Sequence, residues 1–488
     1  MARPRAEEIG EPLPAADPAL AATLGAAVRP PLAGPWGRPP DRAPGRTPEN
    51  TVEATALTRR PAPLRWPQTP EARLAAAGVA GLMLLSLIVA IGAAAHPSRL
   101  VPSSRFLFPD WLAGPLAGLG IEVHIVAFGL ALAVMVACYA IVLWQARSIP
   151  APWIVGPVVA LHVVFVLAPP LLSTDIFGYL AHARLWSLHG LNPYTHVVAE
   201  IPADPVNQYL GRTWPKALAA PYGPLLLMGS PILAALGFAA AMWSLKVAAG
   251  VAALGSVALV WRAARLLGRD PQPAVAFVGL NPLWLAWSVG GAHNDLPMVL
   301  LSVGGVCLAV ASRERLAGAA LAAAVAVKAT AGIALLALIV GGARRGRALV
   351  GALVGGAAVA ALSFAVFGPD LLGSVGSLLE QGQGSSRQSV PRDISRLLGS
   401  EYPLPALRHL GTAIFALTTV GMLAWAARTR RWIDAAGWIT VALLATTTWL
   451  HAWYIVALLP LAALSESRRL RAVTFAMTIV MGAIQLTP

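Results

Sequence analysis

The chain has 488 residues, of which 57% are hydrophobic and only 12% charged, with 45 Gly and 41 Pro. Soluble globular chains run at about 25% charged residues, and a mean hydropathy of +0.67 is too high for a mostly disordered polymer. A soluble enzyme, a DNA-binding module and a disulfide-stapled secreted domain are all excluded, which leaves an all-α polytopic membrane protein. The net charge of +14 does not point to nucleic acid. The basic residues sit in short clusters between apolar runs, where they orient helices in a lipid bilayer. Cys138 and Cys307 lie inside apolar runs and read as small buried hydrophobes.

Residues 1–73 hold 15 prolines, 10 arginines and 8 acids without apolar periodicity. Such a segment cannot bury enough surface to fold, and it reads as a disordered cytoplasmic tail. No secretory signal peptide is visible, because about 70 mostly polar residues precede the first apolar run. From residue 74 to 488 the chain reads as one transmembrane domain. Its apolar segments are 74–95, 122–146, 151–172, 243–264, 272–291, 295–311, 315–340, 347–367, 409–427, 434–450, 452–464 and 470–486. Most approach the ~20 residues that cross a bilayer as a helix. Segment 315–340 carries Lys328 near its centre and reads as two short helices meeting there, giving about 13 helices. The stretch 223–240 reads as a juxtamembrane or half-inserted helix.

Counted this way, Arg147, Arg262, Arg265, Arg269, Arg313, Arg315, Arg344, Arg345, Arg347, Arg428, Arg430, Arg431, Arg468, Arg469 and Arg471 all fall on the cytoplasmic side with the N-terminus, as the positive-inside bias demands. Treating 223–240 as a crossing would send every later cluster to the wrong side. The same count places loop 173–222, His293-Asn294-Asp295, loop 368–408 and His451-Ala452-Trp453-Tyr454 together on the external face. The location expected is therefore the plasma membrane, with any active site extracytoplasmic.

Four features there can carry chemistry. In a helix starting at Asp175, the residues Asp175, Tyr179, His182 and Trp186 share one stripe. That stripe suits a sugar pocket, although Asp175 could also simply favour the helix N-terminus. The loop continues to Tyr222 and is about 50 residues long, a length usually functional. Second, His293, Asn294 and Asp295 offer an imidazole, an amide and a carboxylate within one turn. They suit sugar hydroxyls better than a metal, since the spacing fits no tight site; no cofactor is indicated. Third, Lys328 lies mid-segment, where a charge costs about 2.5–3.5 kcal/mol, so it should face a wet cavity or an anion. Lys246, near a segment end, reads as snorkelling. Fourth, an aromatic belt explains Trp453 and Tyr454 but not His451. Loop 368–408 adds Arg387, Arg392, Arg396 and Arg408, externally placed arginines suited to phosphate.

The ordered set Ser-Thr-Asp-Ile-Phe-Gly-Tyr (173–179), Gly-Leu-Asn-Pro-Tyr (190–194), Tyr-Gly-Pro-Leu (222–225), Asn-Pro-Leu (281–283), His-Asn-Asp (293–295), Val-Lys (327–328), Trp-Tyr (453–454) and Leu-Pro-Leu (459–461) resembles the polyprenol-phosphate-mannose-dependent α-(1→6)-mannopyranosyltransferases, members of the GT-C glycosyltransferase superfamily. The resemblance covers about 120–488. It implies a GT-C-like helical bundle whose large first external loop carries a catalytic acid, here Asp175. It also implies a polyprenyl-phosphate sugar donor and a glycan or glycolipid acceptor.

On that basis Asp175 is the expected general base of an inverting mannosyl transfer at the outer face. Arg387, Arg392 or Lys328 would meet the leaving phosphate. Tyr179, His182, Trp186, Tyr222, His293, Asn294, Asp295, His451, Trp453 and Tyr454 would bind substrate, with Trp186 and Trp453 stacking on sugar faces. The alternative is a lipid-linked-sugar flippase or transporter, which the intramembrane Lys328 and Pro-broken helices also suit. Against it stand the absence of an internal repeat and the gathering of polar groups on one face, where transporters bind near the midplane.

Overall fold

The computed structural model describes residues 68–104, 107–120, 122–211, 214–386, 388–399 and 403–484. The tail expected over 1–73, save its last residues, and Arg387 lie outside the described residues. The chain divides into Met1–Leu64 and Arg65–Pro488, and all the described residues belong to the second unit.

Among the described residues all regular structure is helical. The main helices are α1 (Pro70–Ala95), α2 (Ile125–Gln145), α3 (Pro152–Leu167), α4 (Asp175–Ser187), α5 (Phe238–Leu266), α6 (Pro271–Gly279), α7 (Asp295–Val310) and α8 (Glu314–Val325). They continue as α9 (Gly332–Gly341), α10 (Arg345–Phe367), α11 (Gly373–Gln383), α12 (Pro403–Thr429), α13 (Trp432–Thr446), α14 (Leu458–Leu464) and α15 (Arg468–Ile484). Five helical stretches among the described residues are long and apolar enough to cross a membrane: α1, α2, α5, α10 run on into α11, and α12 from Leu404. Several others, among them α3, α7 and α13, are apolar but only 10–17 residues long. The chain is thus a helical membrane protein with many interrupted helices.

Local chemistry explains the boundaries. Helix α1 starts at Pro70, earlier than the apolar run suggests, because Thr69 caps it by accepting from the Ala72 N–H at 3.2 Å and Pro70 fits the first turn. Residues 223–240 do not form one helix. They make two short ones, Pro224–Leu227 and Ser230–Ala235, before α5 begins at Phe238. Asn281-Pro282 ends α6, since proline offers no N–H to continue it. The Asn281 side chain accepts from the Leu283 and Trp284 N–H groups at 3.0 and 3.2 Å and donates to Thr478 Oγ1 at 3.0 Å. After this break Trp284–Val289 winds as a π-helix. Segment 315–340 is two helices broken at Lys328, as its charge requires.

Small residues let the helices approach closely. A Cβ on Gly318 would stand 2.0 Å from the Ala348 carbonyl oxygen, and one on Gly351 would stand 1.9 Å from that of Arg315. Here α8 and α10 touch backbone to backbone, the packing that supplies contact energy where no hydrophobic effect acts between helices.

The arginine turns collect at one end. Arg147 pairs with Asp270, Arg269 and Arg431 with Glu466, and Arg344 with Glu314. Arg345 and Arg430 donate to the carbonyls of Ala427 and Gly342. Clusters far apart in sequence therefore share one face of the bundle.

Asn281→Ala leaves the two N–H groups at the α6 break without their side-chain acceptor, at about 1–3 kcal/mol. The expected outcome is a lower melting temperature for the detergent-solubilised protein with an unchanged far-UV helical signal. An unaltered melting point would show that the cap contributes nothing.

Candidate active site

Most side chains of the site sit beside a point where a helix is interrupted, while Tyr179 and His182 project from within α4. Helix α3 stops at Leu167 before Pro169-Pro170, and the chain continues without regular structure until Asp175 opens α4. Leu172 here has φ 63°, and Ala292, just before His293, has φ 53°. Non-glycine residues in this region cost about 1–3 kcal/mol each and cluster at functional sites. The two strained segments are tied together, because the Leu171 N–H donates to the Gly290 carbonyl at 3.1 Å.

Lys246 makes the same tie. The reading that it snorkels is wrong: it is fully buried. Its ammonium donates to the carbonyls of Gly290 at 2.7 Å, Phe165 at 2.9 Å and Pro169 at 3.4 Å. These carbonyls belong to the segments leading to Asp175 and to His293. Broken helix ends leave carbonyls without partners, and three donors on one ammonium satisfy them in an apolar interior. Sequence position alone could not show this, because the acceptors come from the end of α3, the segment after it and the residue after the π-helix.

The break at Lys328 is closed from outside. The Gly223 N–H donates to the Val327 carbonyl and the Leu225 N–H to that of Ala326, both at 3.1 Å. A Cβ on Gly223 would lie 2.1 Å from the Ala326 carbonyl oxygen, so the approach requires glycine. Tyr222 is carried to the site by the backbone that completes the α8 end.

Between these breaks lies a cavity of about 500 Å³ lined by Asp175, Tyr179, His182, Tyr222, Asn294, Lys328, His451, Trp453 and Tyr454, among others. The Asp175 carboxylate lies 3.5 Å from Nδ1 of the fully buried His293. His293 stacks on Trp453 with ring centres 3.9 Å apart, and His451 stacks on Trp453 at 4.4 Å. Lys328 Nζ donates to both Asp295 oxygens at 2.8 Å and lies 4.5 Å from the centre of the Tyr454 ring. The Tyr179 hydroxyl donates to Asn294 Oδ1 and accepts from the Asn294 N–H, both at 3.2 Å. Tyr222 packs edge-on against Tyr179 and His182.

Electrostatics give these groups distinct characters. Burial pushes the Asp175 carboxyl up to about 6, with Lys328 opposing and Asp295 adding to the rise. Burial, Lys328 and His451 hold His293 well below the usual imidazole range. Burial likewise brings His182 down to about 4 and, with Lys328, His451 to about 3. Three neutral imidazoles thus share the site with a carboxylate brought up to about 6, a range suited to a base at physiological pH. Both ring nitrogens of His182 and the Asn294 amide nitrogen are buried without a hydrogen-bond partner in the protein. Buried polar groups are normally paired, so these are open to a polar ligand.

Not every expected residue lines this cavity. Trp186 packs on Phe367 with ring centres 4.7 Å apart. Eleven residues keep it on nearly the same stripe as Asp175 but carry it about 16 Å along α4, past the residues that line the cavity, and it is corrected from sugar platform to packing residue. His293 stands behind the wall, and Asp295 faces an adjoining cavity. Arg392 reaches Ser385 Oγ at 3.2 Å, and Ser385 lines the pocket. Arg387 lies outside the described residues. Trp214, Gln381, Gln388 and Trp449 also line the pocket; Gly178 signals the place of Trp214, because a Cβ there would meet its ring at 2.5 Å. Among the described residues no three His, Cys, Asp or Glu side chains group closely enough to hold a metal ion.

A polar, aromatic-walled cavity built on broken apolar helices defines a membrane protein with a site for a polar ligand. The chain belongs to the family described as alpha-(1->6)-mannopyranosyltransferase, N-terminal domain, whose profile matches residues 75–344, more than half of the chain. Asp175, His293, Asn294, Asp295 and Lys328 fall within the match; His451, Trp453 and Tyr454 come from beyond it. The chain is similar to Alpha-(1->6)-mannopyranosyltransferase A of Mycobacterium tuberculosis (strain ATCC 25618 / H37Rv), 33% identical over 174 residues, which are 33% of this chain and 32% of that protein. It is similar also to the Corynebacterium glutamicum protein of the same name, 32% identical over 180 residues, 35% of each. The matched stretch spans about a third of the length of these curated relatives. No solved structure matches the chain.

Lys246→Met removes the donor shared by three buried carbonyls, at about 2–3 kcal/mol. It should lower the melting temperature more than Lys216→Met, a change in the connection between α4 and α5. Equal melting points for the two variants would contradict the bracing role.

Proposed function

We propose that the chain is an α-(1→6)-mannosyltransferase that moves a mannosyl residue from a polyprenyl-phosphate donor to a hydroxyl of a cell-envelope glycan or glycolipid. The carrying observation is that Asp175 and Lys328 face one cavity which adjoins a second, more apolar one. The second cavity, about 250 Å³, shares Pro221, Lys328, Gln381, Trp449 and Tyr454 with the first and runs between α9, α11 and α13, past Ile333, Leu378 and Leu444. A sugar fits the polar chamber, a prenyl chain the apolar one, and the phosphate between them falls at Lys328.

In this reading Asp175 accepts the proton of the acceptor hydroxyl as that oxygen attacks the anomeric carbon. The bond from this carbon to the phosphate oxygen breaks on the opposite face, and polyprenyl phosphate leaves with the electron pair. A β-linked donor thus gives an α-linked product. The leaving phosphate gains negative charge, and a fixed ammonium at Lys328 stabilises it most as that charge develops. Asp295 holds Lys328 by two of its three N–H donors, leaving the third for phosphate. Neutral His293 stands at the carboxylate of Asp175 and orients it. His182 and Asn294 take sugar hydroxyls, and Trp453 or Tyr222 offers an aromatic face. The scaffold is read as GT-C-like, with about 13 helical segments once the interrupted helices are counted by the pieces between breaks. The pocket is assigned to the extracytoplasmic side of the plasma membrane, because the arginine turns share the other end and basic turns favour the cytoplasm.

Membranes carrying the protein should transfer label from radiolabelled polyprenyl-phosphate mannose to a short α-mannoside. Asp175→Asn should lower the rate by about 10²–10⁴-fold, the usual contribution of a general base, with insertion unchanged; retained transfer would remove Asp175 from the mechanism. The base works deprotonated, so kcat/KM should fall as pH drops through about 6. Lys328 favours the carboxylate form, so Lys328→Gln should move this acid limb to higher pH besides lowering the rate. A limb that stays in place would show that the titrating group is not Asp175.

A further inference from the structure

We propose that the end of the bundle remote from the active site carries a binding site for an anionic membrane phospholipid. Helix α5 links the two ends. It begins at Phe238, stacked near Phe177 and Tyr209 beside α4, and its Ala264 lines a second large cavity. Twenty-nine residues at 1.5 Å each put its ends about 43 Å apart, the depth of a bilayer. This cavity measures about 900 Å³, larger than the catalytic one.

Its lining combines two chemistries. One part is apolar and aromatic, formed by Leu143, Trp144, Phe277 and Phe475. The other is basic, with Arg147, Arg269 and Arg471 from three separate places in the sequence. Asp270 and Glu466 answer Arg147 and Arg269. Arg471 donates to the Ser465 carbonyl at 2.6 Å and is repelled by Arg269, Arg468 and Arg147, with Asp434 the acid that acts on it. Asp434 is itself held by Arg431 at 2.7 Å and by Ser465. Positive charge at this cavity therefore exceeds its acidic partners. Guanidinium groups match phosphate oxygens in a planar fork.

A soluble phosphate would use the arginines and leave the aromatic lining wet. A phospholipid uses both, with its phosphodiester on Arg147 and Arg471 and its acyl chains along Trp144, Phe277 and Phe475. Trp144 is 87% exposed in the last turn of α2, where an indole meets the headgroup layer. Basic pockets between helices hold anionic headgroups in this way. None of these residues belongs to the transfer site, so the proposal stands or falls apart from the catalytic reading.

The full-length protein in neutral detergent should be titrated with phosphatidylglycerol, with phosphatidylcholine of the same acyl chains, and with inorganic phosphate, reading the melting temperature and the lipid adducts in native mass spectrometry. Phosphatidylglycerol should raise the melting temperature and remain bound, phosphatidylcholine should do so weakly, and inorganic phosphate not at all. The double variant Arg147→Gln/Arg471→Gln should weaken phosphatidylglycerol binding by about tenfold or more, the loss expected for two basic contacts at a headgroup. Its mannosyl transfer in phosphatidylcholine vesicles should match wild type. Arg147→Gln alone guards against misfolding, since that side chain is 77% exposed and pairs with Asp270 at 3.3 Å; it should show a smaller loss in the same direction. Equal binding of the two lipids, unchanged phosphatidylglycerol binding in both variants, or a shift reproduced by inorganic phosphate would each overturn the proposal.

Discussion

Within an apolar bundle every interrupted helix exposes backbone groups that water cannot reach, and each must find a partner in the protein. This constraint organises the whole site. The carbonyls freed before Asp175 and at Gly290 meet in the ammonium of Lys246. Those freed at Ala326 and Val327 accept from Leu225 and Gly223. The break after α13 is closed in the same manner, with the Thr448 carbonyl accepting from the main chain and side chain of Ser386 and the Thr448 hydroxyl donating to the Gly384 carbonyl. Breaks that satisfy one another must be neighbours, so the polar residues next to them converge on one cavity.

Convergence then sets the electrostatics. Lys328 is held by Asp295 at 2.8 Å, so one cation stands among groups that could not tolerate it alone at this depth. The same ammonium favours the anionic form of Asp175 and the neutral forms of His293 and His451. Burial works the other way on Asp175 and brings it to about 6. A carboxylate brought up to about 6 beside a fixed positive charge is the pairing on which the proposed transfer rests.

Much of this is legible in the sequence where a residue contradicts its local setting. Lys328 in an apolar run signals both a break and a cavity. Asn281-Pro282 signals the end of α6, and the period of α4 places Tyr179 and His182 beside Asp175. The same periodicity keeps Trp186 on that stripe but ignores the rise, since three helical turns carry it about 16 Å along α4 to Phe367. Lys246 is misread because its acceptors come from segments about 80 and 44 residues away, which no local pattern records. The sandwich of His451, Trp453 and His293 is hidden for the same reason. A window on hydropathy reads continuous helices well, but it joins α6 to the π-helix and merges 223–240, where proline and glycine divide the chain.

The central claim is that helix breaks gather the polar groups of the candidate site at one end of the bundle while the arginine turns occupy the other. Sidedness tests it most directly, by single cysteines at Gly376 in α11 and Gly346 at the start of α10, two exposed positions where an added Cβ meets nothing within 4 Å, with Cys138 and Cys307 changed to serine. In intact cells a membrane-impermeant maleimide should label Gly376→Cys at once and Gly346→Cys only after permeabilisation. Labelling of both from outside, or of Gly346→Cys first, would contradict the account.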